Sequence, residues 1–314
     1  MPSSPLGAAP ADAPLSLGID IGGTFTDLVV LDPSNGNAVI WKESTTPDDP
    51  TRGTMLGLAK LVERSGIAPE HIGRVIHATT LFSNALIERK GAPTGLMTTA
   101  GFADVLEIGR ERKYELYDLF LEMPPPLVPR PWRREVPERL APDGSVEIPL
   151  DVTAVLREVE GLVADGVRSL ASFLHAYANA AHERAAAAAI ARRFPDLSLS
   201  LSSDIAPEMR EYPRMVTTVA NAYVRPIAET YLDRLQAALH GAGIPGILFL
   251  MLSNGGLTHV AEAKRAPVQL LESGPAAGAL AGAWFSRHAG LDRVLAFDMG
   301  APRQSSPWSM TANR

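Results

Sequence analysis

Residues 20–27 read Asp-Ile-Gly-Gly-Thr-Phe-Thr-Asp. A carboxylate, Asp20, closes an apolar run; Gly22 and Gly23 follow, and Thr24 and Thr26 add two hydroxyls. Glycines let a backbone turn tightly and bring its N–H groups against an anion. The hydroxyls are further donors for phosphate oxygens, and Asp20 can hold Mg²⁺ directly or through water. A plain hairpin turn is the alternative, but apolar runs on both sides of the full string favour phosphate. The string lacks the Gly-Lys-Ser/Thr of a Walker loop. A second apolar run, Leu28–Leu31, stands where a dinucleotide fingerprint would place a helix.

A second cluster is His77-Ala78-Thr79-Thr80 with Asn84. Imidazole, hydroxyls and amide stand before a helix whose N-terminus can face an anion. A helix cap near Ser83, with His77 a satisfied strand-end residue, explains the same residues. Ser253-Asn254-Gly255-Gly256 reads either as a cleft-facing loop or as a type I′ turn. Ser273–Gly278 places small residues, Gly274 among them, where a helix starts, which allows close approach of a nucleotide or of another helix. Arg110–Lys113 reads as a solvated charged turn, and His175 and His182 lack the spacing of metal ligands. Asp204, Glu208, Arg210 and Glu211 suit either a polar substrate or a wet, capped loop.

The elements that must position these groups alternate between strand and helix, the pattern of the α/β class. Leu15–Asp32 is a strand–loop–strand meander, Asp32–Asn37 a turn and Ala38–Trp41 a third strand. Asp49 caps a helix with Pro50 in its first turn, Met55, Leu58, Leu61 and Val62 on its apolar face, and Gly66 at its end. Val75–Ala78 is a strand, Ser83–Lys90 a helix and Thr94–Thr99 a strand. Met123–Pro137 holds six prolines and reads as irregular. Helices follow at Val152–Ala164, Ala180–Arg193, Met215–His240 (bent or broken at Pro226) and Ser273–Ala289. Strands are expected at Ser169–Leu174, Leu197–Ser202, Ile247–Leu252 and Arg293–Asp298.

The 314 residues suffice for about two domains, and 46% hydrophobic with 20% charged residues is an ordinary globular mix. The net charge of −6 comes without a basic track, which argues against a nucleic-acid partner. The absence of cysteine excludes disulfides, thiolate metal sites and a cysteine nucleophile. No apolar run approaches the ~20 residues of a membrane span, so no membrane partner is expected. The first 14 residues read as a loose tail without a signal-peptide pattern, which makes the cytoplasm the expected location.

The string at 18–27 resembles the first phosphate loop of the actin, sugar-kinase and chaperone ATPase superfamily. More narrowly, the chain resembles the hydantoinase A/5-oxoprolinase family, which includes the acetone carboxylase beta subunits. The resemblance rests on GIDIGGTFTD at 18–27, HATTLFSNALIERKG at 77–91, TTAGFADVLEIGRE at 98–111 and LVPR at 127–130. It continues through SFLHAYANAAHE at 172–183, TTVANAYVRP at 217–226, SNGG at 253–256 and SGPAAG at 273–278. It implies an actin/sugar-kinase-like (ribonuclease H-like) α/β fold with an incomplete second lobe. Residues 15–200 would be the N-terminal family domain and 201–300 the start of the main domain, between a disordered tail at 1–14 and an atypical one at 301–314.

The resemblance also implies ATP and Mg²⁺ as cofactors, a small cyclic amide as substrate and a hydantoinase B-type large subunit as partner. By resemblance, His77 and Thr79 lie near the reacting carbonyl, Asp20 holds the metal, and Gly22, Gly23, Thr24, Thr26, Gly274, Asp298 and Gly300 contact the nucleotide. Where the family carries a second phosphate loop, Asp-Met-Gly-Gly-Thr, this chain reads Asp298-Met299-Gly300-Ala301-Pro302. The expectation is a truncated chain whose second half-cleft is broken and which binds Mg-ATP weakly. The competing readings are a ketone carboxylase subunit, a small-molecule kinase or regulatory nucleotide-binding module, and a fragment without activity.

Overall fold

A computed structural model of the chain describes residues 14–110, 115, 117–172 and 175–297. In chain order the strands and helices begin with β1 (Leu15–Ile21), β2 (Phe25–Leu31), β3 (Ala38–Ser44), α1 (Pro50–Ser65), β4 (Ile72–Thr79) and α2 (Leu81–Ile87). There follow β5 (Thr94–Thr99), α3 (Val105–Ile108), β6 (Arg133–Val136), β7 (Arg139–Leu140), β8 (Val146–Ile148) and α4 (Val152–Ala164). Next come β9 (Ser169–Ala171), α5 (Ala181–Arg193), β10 (Ser198–Ser200), α6 (Ser202–Ile205) and α7 (Glu211–Gly241). The last are β11 (Ile247–Met251), β12 (Leu257–His259), α8 (Val260–Arg265) and α9 (Ser273–His288).

The chain forms two compact units, one from residues up to Glu88 and from Ala228 onward, the other from Arg89–Ile227. The first holds a six-stranded sheet in the order β12-β11-β4-β1-β2-β3. Strands β11, β4 and β1 run parallel, and β2, β3 and β12 are added antiparallel. One face is buried through Leu17, Ile19, Leu28, Val30, Val75, Leu248 and Leu250, with Leu58 and Leu61 of α1 and Leu232 and Leu235 of α7 also in the core. Asp49 caps α1 by accepting the Thr51 N–H, and Gly66 ends it in the left-handed region at φ 67°.

The second unit is built on a parallel sheet, β10-β9-β5-β6, and a β7–β8 ribbon. Its core joins Met97, Val136 and Leu170 of the sheet to Val155, Val159 and Leu162 of α4 and Ile190 of α5. These compact units are divisions in space and are distinct from the linear family segments, 15–200 and 201–300, expected along the sequence.

Three expectations need correction. The proline-rich stretch is not irregular throughout: β6 pairs in register with β5, from Leu96↔Arg133 to Thr99↔Val136. Its prolines precede and follow residues 133–136, so these keep their N–H groups, and buried Arg133 donates from Nε and Nη2 to the Val128 carbonyl at 3.0 and 2.8 Å. Of the two readings at Pro226, bent or broken, the break is excluded, since α7 runs through it. An internal proline costs about 3 kcal/mol, which the burial of Ala222, Val224, Ala228 and Leu232 around it outweighs. The strand expected over Arg293–Asp298 is absent over 293–297, and Asp298 lies outside the described residues. The expected tails at 1–13 and 301–314 also lie outside them.

Two helical glycines should respond oppositely to alanine. At Gly57 of α1 an added Cβ would stand 2.6 Å from Leu28 Cδ1 and 3.0 Å from Glu43 Cβ. Overpacking there costs ~1–3 kcal/mol and exceeds the ~1 kcal/mol gain in helix propensity. At Gly161 of α4 the nearest atom is 4.0 Å away. Urea denaturation should show Gly57→Ala destabilised and Gly161→Ala stabilised by up to ~1 kcal/mol.

Candidate functional site

The carboxyl ends of β1, β4 and β11 lie along one edge of the six-stranded sheet, the position where open α/β sheets bind ligands. Between β1 and β2 the chain turns through Gly22–Thr24. The Gly22 N–H donates to Phe25 O at 2.9 Å, and a Cβ on Gly22 would stand 3.2 Å from that same carbonyl. Neither Gly22 nor Gly23 uses a left-handed backbone, so close approach, not positive φ, calls for glycine at position 22.

Thr45 holds the turn from β3's end. Its N–H donates to Thr24 O at 2.9 Å and its hydroxyl to Gly22 O at 3.0 Å. With that proton committed, the 3.0 Å contact between Thr26 Oγ1 and Thr45 Oγ1 makes Thr26 the donor. Thr26 is fully buried. The expectation that Gly22 N–H and the Thr26 hydroxyl face an anion is thus corrected: both are used inside the hairpin. Gly23 N–H and the exposed Thr24 hydroxyl remain as the turn's donors.

Asp20 lies on the sheet face opposite to Ile19 and Ile21 and is exposed. Directly across from it on β2 is Asp27, which in turn faces Lys42 on β3. Two carboxylates in register repel. Lys42 Nζ, 2.6 Å from Asp27 Oδ1, offsets the charge of Asp27. A hard cation that keeps most of its waters needs only one or two such oxygens. Among the described residues no group of three or more His, Cys, Asp or Glu side chains gathers to hold a metal ion.

Thr79 ends β4 and Thr80 stands at the N-cap of α2. Thr79 is buried, its Oγ1 accepts the Leu81 N–H at 3.1 Å, and its backbone exchanges hydrogen bonds with Ser273 Oγ at 3.3 and 3.2 Å. Thr80 N–H donates to Ile21 O at 3.2 Å, and its hydroxyl accepts from Asn84 Nδ2 at 3.0 Å. The start of α9 lies beside them: a Cβ on Gly274 would be 3.8 Å from Thr80 Cγ2, and Glu272 N–H donates to Ser83 Oγ at 3.2 Å. Asp20, the Gly22–Thr24 turn, Thr79, Thr80 and Gly274 therefore share one sheet edge. Asp298 and Gly300 lie outside the described residues.

His77, two residues before Thr79 on β4, is fully buried. Its Nδ1 is 3.1 Å from Ile19 O and its Nε2 is 2.8 Å from the Tyr231 hydroxyl. A carbonyl can only accept, so Nδ1 carries the proton and Nε2 accepts from Tyr231. Burial lowers the imidazole pKa from 6.5 to about 4 against the raising effect of the Ile19 carbonyl, and burial pushes the Tyr231 phenol upward. Both ring nitrogens are engaged, so the expected contact of His77 with a reacting carbonyl gives way to a role in positioning β1 against β4. Thr79, whose hydroxyl caps α2, is corrected in the same way. Nothing in the sequence marks Tyr231 or Thr45, which act through contacts made only in the fold.

The 253–256 loop closes the β11–β12 hairpin. Gly255 N–H donates to Leu252 O at 2.9 Å, with φ 83° at Gly255 and none at Asn254 in the left-handed region. A type I′ turn needs both central residues left-handed, so that alternative is corrected to a turn followed by a left-handed glycine. In the second unit His182 Nδ1 is 2.6 Å from buried Glu138, and buried Glu183 accepts from Ser172, Ser202 and Ser203. Of the remaining candidates, Asp204 stands in α6 and Glu208 and Arg210 are exposed before α7.

The profile of the hydantoinase/oxoprolinase N-terminal region matches residues 16–194, and that of hydantoinase/oxoprolinase matches 214–301. The chain belongs to the hydantoinase/oxoprolinase family. It is 35% identical over 291 residues to the caprolactamase alpha subunit of Pseudomonas jessenii, covering 90% of this chain and 42% of that subunit. It is 28% identical over 328 residues to the 5-oxoprolinase of Saccharomyces cerevisiae, covering 91% of this chain and 25% of that protein. The crystal structure of the ATP-dependent caprolactamase from Pseudomonas jessenii superposes with a TM-score of 0.80 at 34% identity, covering 88% of this chain and 41% of that one. A nucleotide-free acetone carboxylase structure also gives 0.80, at 25% identity, with coverage of 88% and 41%. These neighbours bear out the α/β, actin/sugar-kinase-like expectation. The chain spans less than half the length of these relatives, and no helix among its described residues is long and apolar enough to cross a membrane.

The His77 geometry makes stability depend on pH. A histidine held neutral when folded binds more protons when unfolded, so its contribution is complete at neutral pH and is lost as pH falls from 6.5 through about 4. Between pH 7 and pH 5 the chain should lose roughly 2 kcal/mol from this group. Denaturation of His77→Gln at both pH values should show a smaller loss than the parent; equal losses would contradict the neutral, buried imidazole.

Proposed function

We propose that this chain is the nucleotide-handling part of an ATP-dependent enzyme that opens a cyclic amide together with a hydantoinase B-type large subunit. The observation that carries the reading is the Asp20 carboxylate at the end of β1, sharing a sheet edge with the Gly22–Thr24 turn, Thr80 and Gly274. Phosphoryl transfer asks a protein for positioning and charge neutralisation more than for covalent chemistry. When bound, ATP with Mg²⁺ supplies the phosphoryl group that turns a resonance-stabilised amide oxygen into a leaving group.

The chain's own residues hold and orient. Asp20 takes the metal through one oxygen or through water. Gly23 N–H and the Thr24 hydroxyl bond a phosphate oxygen, and Gly22, Thr26 and Thr79 fix the backbone that presents them. Gly274 lets the nucleotide approach α9 closely, and Asp298 and Gly300 are kept as nucleotide contacts on the resemblance alone. With His77 neutral and enclosed, the base that activates water comes from the partner subunit. Residues 15–200 and 201–300 are then the N-terminal and main family segments of one subunit.

The amide reading leans on the 35% identity to the caprolactamase subunit, while an acetophenone carboxylase subunit at 29% and a 5-oxoprolinase at 28% stand level. The test combines this chain with its large subunit and follows ATP hydrolysis on caprolactam, hydantoin and 5-oxoproline, against acetone with bicarbonate. Turnover on the ketone alone would replace the amide reading with the carboxylase one.

In that assembly Asp20→Asn should lower ATP-dependent ring opening by about 100-fold or more, with an unchanged melting midpoint. Activity retained within about tenfold, or ~1.4 kcal/mol of barrier, would remove Asp20 as the metal anchor.

A further inference from the structure

The first unit has a second concavity, at the end of the sheet away from Asp20. Strand β12 ends by pairing His259 with Phe249, so Ile247 and Leu248 of β11 have no β12 residue beside them. On its other side Ile247 pairs with Arg74, five residues before Thr79 on β4, which puts this end of β11 about 17 Å from the Asp20 edge. A cavity of about 500 Å³ opens there between α7, β11 and α8. That volume is in the range of small-molecule sites.

Two helix faces and a strand supply the walls. Asp233, Gln236 and His240 recur at three- and four-residue spacing and so share one face of α7. Val260 and Lys264 share a face of α8 in the same way. Lys264 Nζ reaches Asp233 Oδ1 at 2.6 Å and joins the two helices beside the cavity. The His259 ring is held against Phe249, with centroids 4.9 Å apart. Buried Leu239 and Leu248 supply an apolar lining.

The polar lining is unequal in sign. Lys264, His240, His259 and Gln236 bring an ammonium, two imidazoles and an amide, and among the described residues no carboxylate lines the cavity. Two neighbouring carboxylates are already paired, Asp233 with Lys264 and Glu262 with Arg265. An exposed ion pair is weak; Asp233 is 61% exposed, so Lys264 can exchange it for a bound anion at little cost.

We propose that this cavity binds a small carboxylate with an apolar body. The carboxylate lies on Lys264, with the imidazoles of His240 and His259 as further donors, and the body lies over Leu239 and Leu248. The site stands whether or not the Asp20 edge holds a nucleotide, and it is indifferent to the choice between amide and ketone.

Hexanoate is the probe, with hexan-1-ol and hexylammonium as compounds of the same apolar body, and binding to the full chain is followed by backbone amide shifts. Hexanoate should shift Gly246, Ile247, Ala261 and Lys264 saturably and bind at least tenfold more tightly than either of the others. Lys264→Met should weaken hexanoate at least tenfold. Asp233→Asn, which releases Lys264 from its partner, should tighten it at least threefold. An unchanged melting midpoint checks each variant; should Lys264→Met lower it, Asp233→Asn and the hexan-1-ol comparison decide. Equal binding of hexan-1-ol would make the cavity an apolar groove and overturn the carboxylate assignment. No saturable shift at these residues, or a hexanoate affinity that neither substitution alters, would overturn the site itself.

Discussion

The edge of the central sheet depends on one buried side chain. His77 joins three elements: its Nδ1–H is donated to the β1 carbonyl of Ile19, its Nε2 accepts from Tyr231 on α7, and its backbone belongs to β4. Ile19 is the residue before Asp20, so the bond fixes the strand just where its carboxylate emerges. A neutral imidazole is the only form that can donate at one nitrogen and accept at the other, and burial keeps it neutral. The strand ends that meet Gly22, Thr80 and Gly274 are held in place from beneath by this contact, while the opposite face of the same strands carries the exposed carboxylate.

Electrostatics then select which carboxylate matters. Asp20 and Asp27 are paired in register, an arrangement that repulsion would disfavour. Lys42, one strand further, neutralises Asp27 and stacks over Phe25 at 5.0 Å. The β1–β3 meander thus places Asp20, Asp27 and Lys42 in one row beside the turn. Thr45 closes the turn beneath it by satisfying Gly22 O and Thr24 O, which commits Thr26 to the interior.

Much of the fold was legible because it follows from local rules. The Asp49 cap, Pro50 and the Gly66 stop delimit α1 as read, and the Leu15–Asp32 meander forms as read. Misreadings arose where tertiary packing overrode local preference. Pro226 sits within an intact helix because both of its flanks are buried, and four residues after a proline cluster pair as β6. At the site, residue types at 20–27 pointed to the end of β1, but spacing along a strand could not say which side chains face inward. Thr26, His77 and Thr79 turned out to face the core. The partners that lock them, Thr45, Tyr231 and Ser273, are 19, 154 and 194 residues away and leave no trace in a linear pattern.

The central claim is that nucleotide and metal meet the protein at the Asp20 edge of the first unit. The most direct measurement is paramagnetic broadening of backbone amide resonances by Mn²⁺-ATP, which registers weak binding as well as tight. The expected result is early loss of the Gly23, Thr24, Thr80 and Gly274 signals in the parent chain and their retention in Asp20→Asn. Broadening centred in the second unit, on residues 89–227, or identical broadening in parent and variant, would contradict it.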